Sequence, residues 1–303
     1  MKEVLVTGGA GFIGSNIVER AVEMGLAVTV LDNLSTGDTE NLSEVEDKIE
    51  FIHGACSEIP DLDLGSPDTI FHIGIPSSSP MYREEPRLMG RAINEFVEVM
   101  ELADKVEANV VFAASSSVYG RCEPPHRENM KIEAFDYYTE ARLAMERIAK
   151  VYNQLHGVKT VGLRFFSVYG PHESAKGRYA NIVSQFIWKM KDGERPKIYG
   201  DGEQTRDFTH VSDVVDACMA AAKSELEYEI INVGTGRETS FNQVIKIINE
   251  KLGKSIEPEY IQNPIENYVY RTLADISKAR NLLDYEPSID LEEGVERKMG
   301  EGE

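Results

Sequence analysis

Apolar positions along this chain fall in two rhythms that alternate from its start. Lys2 to Val6 is a β-rich run, followed by glycines and then by Phe12 to Met24, where Ile13, Ile17, Val18 and Ala21 recur at helical spacing. Gly25 ends that segment, and Leu26 to Leu31 reads as a second strand finishing at Asp32. Further strand-like runs lie at 49–53, 68–73, 109–114 and 159–165, with helical patterns at about 84–106 and 137–156 between them. Such alternation predicts an α/β fold, a doubly wound parallel sheet with helices on both faces. The strands are apolar nearly throughout, as a sheet covered on both sides requires. Past residue 166 the order breaks into Gly- and Pro-punctuated segments, a short helix at about 178–192 and a return to strand at 229–233. A smaller, interleaved C-terminal domain fits that texture. Residues 1–165 with about 206–236 would form the first domain, and about 166–205 with 237–303 the second.

The turn after the first strand carries Gly8-x-x-Gly11-x-x-Gly14. A helix starting there aims its free backbone N–H groups and the positive end of its dipole at the turn. Bare glycines at 8 and 11 let a pyrophosphate approach the backbone, and Gly14 lets the helix pack close to the sheet. The triplet alone is a weak signal, but a strand before it and a helix after it make a nucleotide-binding βαβ unit of the Rossmann kind. Asp32 ends the second strand, where a carboxylate accepts both hydroxyls of an adenosine ribose and repels a 2′-phosphate, so NAD is expected rather than NADP. The plainer reading of Asp32 is a cap for the turn through Asn33 and Gly37.

At 303 residues, 42% hydrophobic and 28% charged, the chain can bury one large core or two smaller ones. No apolar run approaches the ~18–20 residues of a membrane helix, and Met1-Lys2-Glu3 leads directly into the first strand. A cytoplasmic protein is expected. Cys56, Cys122 and Cys218 lack metal-ligand spacing and are odd in number, which predicts incidental thiols and neither a metal site nor a disulfide framework. A net charge of −20 speaks against nucleic acid as a partner, and any anionic ligand must be held by local arginines and helix N-termini.

Candidate chemistry lies past the fifth strand. Ser115 opens the segment SSSVYG (115–120) and would stand at the strand's carboxyl end, beside the cofactor crevice. Tyr138 and Arg142 are i and i+4 on the helix that opens at Asp136, which places a phenol and a permanent cation on one face. A guanidinium there favours the phenolate, the form of tyrosine that acts as a base. Taken singly, Tyr138 also reads as a half-buried aromatic and Arg142 as a solvated helix charge.

The glycine triplet, Asp32, SSSVYG, Tyr138-x-x-x-Arg142, LRFFSVYGP (163–171), GDGEQTRDFTHVSD (200–213) and NVGTG (232–236) follow one another as in the extended short-chain dehydrogenases/reductases. Over essentially its whole length the chain resembles the nucleotide-sugar epimerases among them, of the UDP-glucose 4-epimerase type. The resemblance implies an NAD-dependent isomerase that inverts carbon 4 of a nucleotide-linked hexose, UDP-glucose/UDP-galactose or the N-acetyl forms, through a transient 4-keto sugar. Tyr138, helped by Ser115, would take the 4-hydroxyl proton as hydride passes to NAD, and the hydride would return to the other face of the turned sugar. Cofactor contacts are implied at Gly8, Gly11, Phe12, Ile13, Gly14, Asp32, Asn33, Tyr138 and Arg142. Substrate contacts are implied at Ser115, Ser167, Lys176, Asn181, Arg206 and Arg271. Arg206 resembles the arginine that grips the nucleotide diphosphate, against a plainer ion pair with Asp207. Asn181 resembles a substrate-contacting asparagine, against a plain helix cap. Family members pair through the helices matching 84–106 and 137–156, so a homodimer is implied.

Several positions depart from the family pattern. Arg142 stands where lysine is usual, keeping the charge on a larger planar fork with a different aim. Gly54-Ala55 replaces a Gly-Asp pair, Ser167 replaces an asparagine that meets the substrate pyrophosphate, and NPIENYVYRTLAD (263–275) replaces an Arg-x-Gly-Asp segment, with Arg271 as a stand-in for its arginine. Ile73 to Tyr82 differs from the usual segment after the fourth strand and is expected to shape the sugar pocket. Ser116 and Ser117 occupy positions where related dehydratases and decarboxylases carry acids, which turns the reading away from both. Two rivals stay open. FFSVYGPHESAKG resembles the ADP-glycero-manno-heptose 6-epimerases, in which a lysine matching Lys176 is a second acid/base opposite the tyrosine. The other rival is a non-catalytic dinucleotide-binding protein.

Overall fold

The computed structural model describes residues 1–120, 122–265 and 268–300. Its centre is an all-parallel sheet of seven strands: β1 (Glu3–Thr7), β2 (Ala27–Asp32), β3 (Ile49–His53), β4 (Thr69–His72), β5 (Asn109–Ser115), β6 (Thr160–Phe165) and a seventh, Tyr228–Val233. Across the sheet the order is seventh, β6, β5, β4, β1, β2, β3. Order reverses between β1 and β4, and at such a switch point the connections leave in opposite directions and open a crevice at the strands' carboxyl ends. Every residue of β4 and β6 is buried, as their largely apolar sequences foretell for strands covered on both faces, and His72 and Arg164 are buried with them.

Helix α1 (Phe12–Glu23) follows β1 directly, with the apolar stripe Phe12, Ile17, Val18 and Ala21 buried. The helical pattern at 84–106 resolves into two helices, α2 (Ser79–Glu84) and α3 (Leu88–Val106). Pro86 explains the break: its ring pushes Glu85 out of helical conformation, to φ −134° and ψ 86°. Helix α4 (Tyr137–His156) begins where Asp136 accepts the Thr139 N–H at 2.8 Å and ends at Gly157 in the left-handed region. Helix α5 (Ile182–Lys191) starts four residues later than the pattern suggests, because Asn181 caps it and the residues before it form a tight turn.

Helices α6 (Val211–Lys223), α7 (Phe241–Leu252), α8 (Ser277–Leu283) and α9 (Leu291–Gly300) complete the order. Side chains of α6 and α8 join the cluster around the sheet. A separate apolar cluster joins α5, α7 and α9 through Ile187, Val244, Ile248 and Val295, with Tyr169 and Phe208 among them. Cys56 and Cys218 are buried free thiols, and no helix among the described residues is long and apolar enough to cross a membrane.

Candidate active site

The glycine turn is built by close backbone approaches. Gly8 has φ +71°, and a Cβ there would lie 2.4 Å from the Cα of Gly74, the residue that leaves the β4 end of the switch point. A Cβ on Gly14 would lie 2.0 Å from the Gly8 carbonyl oxygen, so the helix packs this closely against the turn itself. At Gly11 the nearest atom would be 3.2 Å away, a tight fit that needs only a small shift. Gly8 and Gly14 are therefore demanded by the fold, while the bare backbone at Gly11 opens towards the crevice. Asp32 is buried at the end of β2, accepting the Ala10 N–H at 2.9 Å and the Leu34 N–H at 2.8 Å. Burial raises its pKa, and those two N–H groups oppose the rise. Asp32 thus ties the turn together and also lines the crevice. Asn33, beside it, accepts the Ser35 N–H at 3.0 Å.

From this turn a cleft of about 520 Å³ runs along the carboxyl ends of the strands. Ser115, at the end of β5, accepts the Ser117 N–H at 3.2 Å, which leaves its own hydroxyl proton free to donate. Tyr138 stands in the first turn of α4, and Ser79 of α2 donates to the capping carboxylate of Asp136. Arg142, one turn further, is 3% exposed and so is no solvated charge. Its two terminal nitrogens donate to the carbonyls of Ala113 and Pro76, each at 3.0 Å. The guanidinium carbon lies 4.9 Å from the centroid of the Tyr138 ring, so the expected pairing of phenol and cation takes the form of a cation–π stack. Tyr82 packs edge-on against Tyr138 at 5.3 Å, and burial pushes its own phenol up to about 12. Behind them His72 bonds Thr7 Oγ1 at 2.8 Å, and burial beside Arg142 lowers it to about 3, so the imidazole is neutral.

On the opposite wall the backbone at Ser167 takes φ 26°, a conformation unusual for a residue with a side chain. Asn181 caps α5 through Val183 N–H at 3.0 Å, its amide donates to the Val168 carbonyl at 3.0 Å, and it lines the cleft as well. Lys176 lies 3.4 Å from the fully buried carboxylate of Glu173, with its amine 5.2 Å from the centroid of the Phe12 ring. Arg206 is not paired with Asp207, whose carboxylate accepts the N–H groups of Thr235, Gly236 and Ala274. Its guanidinium instead lies 5.5 Å from the rings of both Phe241 and Tyr268 and donates to the Thr205 carbonyl at 2.7 Å. Arg271 is not brought to the cleft. Its fork is taken by Glu238, at 2.6 and 3.1 Å. Gly8, Gly11, Phe12, Ile13, Gly14, Asp32, Asn33, Ser115, Tyr138, Arg142, Ser167, Lys176, Asn181 and Arg206 all line the one cleft. Gly74, Arg83, Glu173 and Tyr268 join the site without having been singled out from sequence. The unusual segment 73–82 did contain the first of them and ends one residue before Arg83.

Residues 4–234 match the model of the NAD dependent epimerase/dehydratase family. The chain belongs to that family. A Methanocaldococcus jannaschii protein provisionally named UDP-glucose 4-epimerase is 38% identical, covering 97% of this chain and 96% of its own. The UDP-glucuronate 4-epimerase of Thermodesulfobacterium geofontis is 33% identical over 97% of this chain and 94% of its own. A crystal structure of UDP-glucose 4-epimerase from Thermotoga maritima with UDP-glucose superposes with a TM-score of 0.92 at 32% identity, covering 98% and 97% of the two chains. This family member is thus an NAD-dependent epimerase, an isomerase with the extended short-chain dehydrogenase/reductase architecture. The site fits NAD: the bare backbone of Gly11 lines the cleft at the start of α1, and a carboxylate stands at the end of β2.

Proposed function

We propose that this protein interconverts C4 epimers of a UDP-linked sugar. The observation that carries the reading is the convergence of Ser115, Tyr138 and Arg142 on the wall of a cleft whose other end holds Arg206. When bound, NAD would supply the hydride acceptor for the C4 hydrogen. Tyr138 receives the proton of the 4-hydroxyl, and the free hydroxyl proton of Ser115 holds that oxygen in place. The Arg142 guanidinium stacks on the ring and fixes its place, and the burial of both residues keeps water from the proton path. Arg206 anchors the diphosphate through its fork while the sugar turns. Ser116 and Ser117 offer no acid for elimination. Lys176, tied to Glu173, suits holding an anion better than a second acid/base role. The same reading makes the protein a cytoplasmic homodimer joined through α3 and α4, and the exposed Val151 and Leu155 on α4 support that pairing.

Tyr138→Phe tests the assignment. Turnover of the UDP-sugar should fall by roughly 10²–10⁴-fold, the share of a positioned acid/base, while bound NAD stays at the wild-type level. A variant that turns over normally would remove Tyr138 from the chemistry.

A further inference from the structure

The cations of the cleft are almost all committed. Arg142 donates to two carbonyls, Arg206 to the Thr205 carbonyl, Lys176 pairs with Glu173, and Arg91 lies 3.7 Å from Glu95. Arg83 differs: among the described residues nothing bonds or pairs with its guanidinium, although it lines the same cleft. The carboxylates of the cleft are occupied too. Asp32 holds backbone N–H groups, Glu95 faces Arg91, and Asp136 caps α4.

Contacts on either side of Arg83 locate it. Tyr82 packs on the Tyr138 ring, and Glu84 accepts from Arg178 at 2.8 Å and from Tyr179 at 2.9 Å. Arg83 therefore stands between the wall that carries the phenol and the turn at 174–179, at the sugar end of the cleft. The diphosphates have other donors, the α1 N-terminus for the cofactor and Arg206 for the substrate. The hydroxyl groups of Ser116 and Ser117 line the cleft as well.

We propose that Arg83 recognises a carboxylate at carbon 6 of the sugar, so that the preferred substrate is a UDP-linked hexuronic acid. This rests on the proposed C4 epimerisation. A hydroxymethyl group offers a guanidinium one neutral acceptor, whereas a carboxylate offers two charged oxygens in matching planar geometry. In a chain of net charge −20, an unpaired arginine that shares its cleft with serine hydroxyls is a selective feature for such a group.

The test titrates UDP-glucuronate and UDP-glucose into the holoenzyme by calorimetry and follows the products by proton NMR, for wild type, Arg83→Met and Arg83→Lys. Wild type should bind the uronate at least about tenfold more tightly, the preference should collapse in Arg83→Met, and Arg83→Lys should restore part of it. Bound NAD content checks that each variant is folded. Equal affinities in wild type, or a preference that Arg83→Met leaves unchanged, would overturn the inference; a diphosphate role for Arg83 would weaken both ligands alike and keep the ratio. Uronate preference accompanied by loss of CO₂, or by no 4-epimer, would overturn the proposed reaction and leave the carboxylate site standing. Epimerisation of UDP-glucose without uronate preference would do the reverse.

Discussion

Arg142 shows how one side chain can serve the site through the backbone. Its fork joins the end of β5, at Ala113, to the segment after β4, at Pro76, and its charge lies over the Tyr138 ring. Arg142→Met should destabilise the protein by about 2–4 kcal/mol, because two buried carbonyls lose charge-assisted partners, each worth ~1–3 kcal/mol. Urea denaturation measures this, and a cost below about 0.5 kcal/mol would mean that the fork holds nothing. Lysine, with one compact ammonium, cannot span both carbonyls, so Arg142→Lys should recover only part of the loss. Sequence located Arg142 and its partner but not this geometry, since spacing fixes a helix face and says nothing of which carbonyls lie opposite it. Arg271 shows the same limit: its place in the chain suggested a substrate contact, yet its fork is held by Glu238 and it does not line the cleft.

At the scale of elements, the turn from β1 into α1 is the part most fully written in the sequence. Strand, glycines and helix each carry a local signal, while the close approach of Gly74 and the Asp32 bond to Ala10 are non-local. Gly14→Ala tests the turn: a Cβ 2.0 Å from the Gly8 carbonyl oxygen must push the first turn of α1 outward, so NAD affinity should drop more than about tenfold. Equilibrium binding of NAD to the stripped protein measures it, and unchanged affinity would show that the turn is not the cofactor's cradle. The elements past residue 166 were harder to read. Their short strand pairs, such as Thr205–Arg206 with Thr239–Ser240, depend on partners far along the chain and leave little periodic trace. The split of α2 from α3 was legible in principle, because Pro86 stands in the sequence. Its consequence, that Tyr82 and Arg83 turn towards the phenol wall and the cleft, was not.

In the whole molecule, one apolar cluster supports the sheet and a second gathers α5, α7 and α9 around Tyr169 and Phe208. The cleft takes residues from both ends of the chain, from Gly8 to Thr272. This arrangement lets fixed cofactor elements meet variable loops, which is why the reaction class was readable from ordered motifs while the sugar was not. In the proposed reading substrate choice depends on side chains such as Arg83 and Lys176, whose neighbours the sequence does not reveal. The proposed reaction has the C4 hydrogen leave and return within the site, and conversion of the preferred UDP-sugar in D₂O tests this. Mass and proton NMR spectra of the 4-epimer should show no deuterium at carbon 4, because the hydrogen never meets solvent. Deuterium at that carbon would contradict the account.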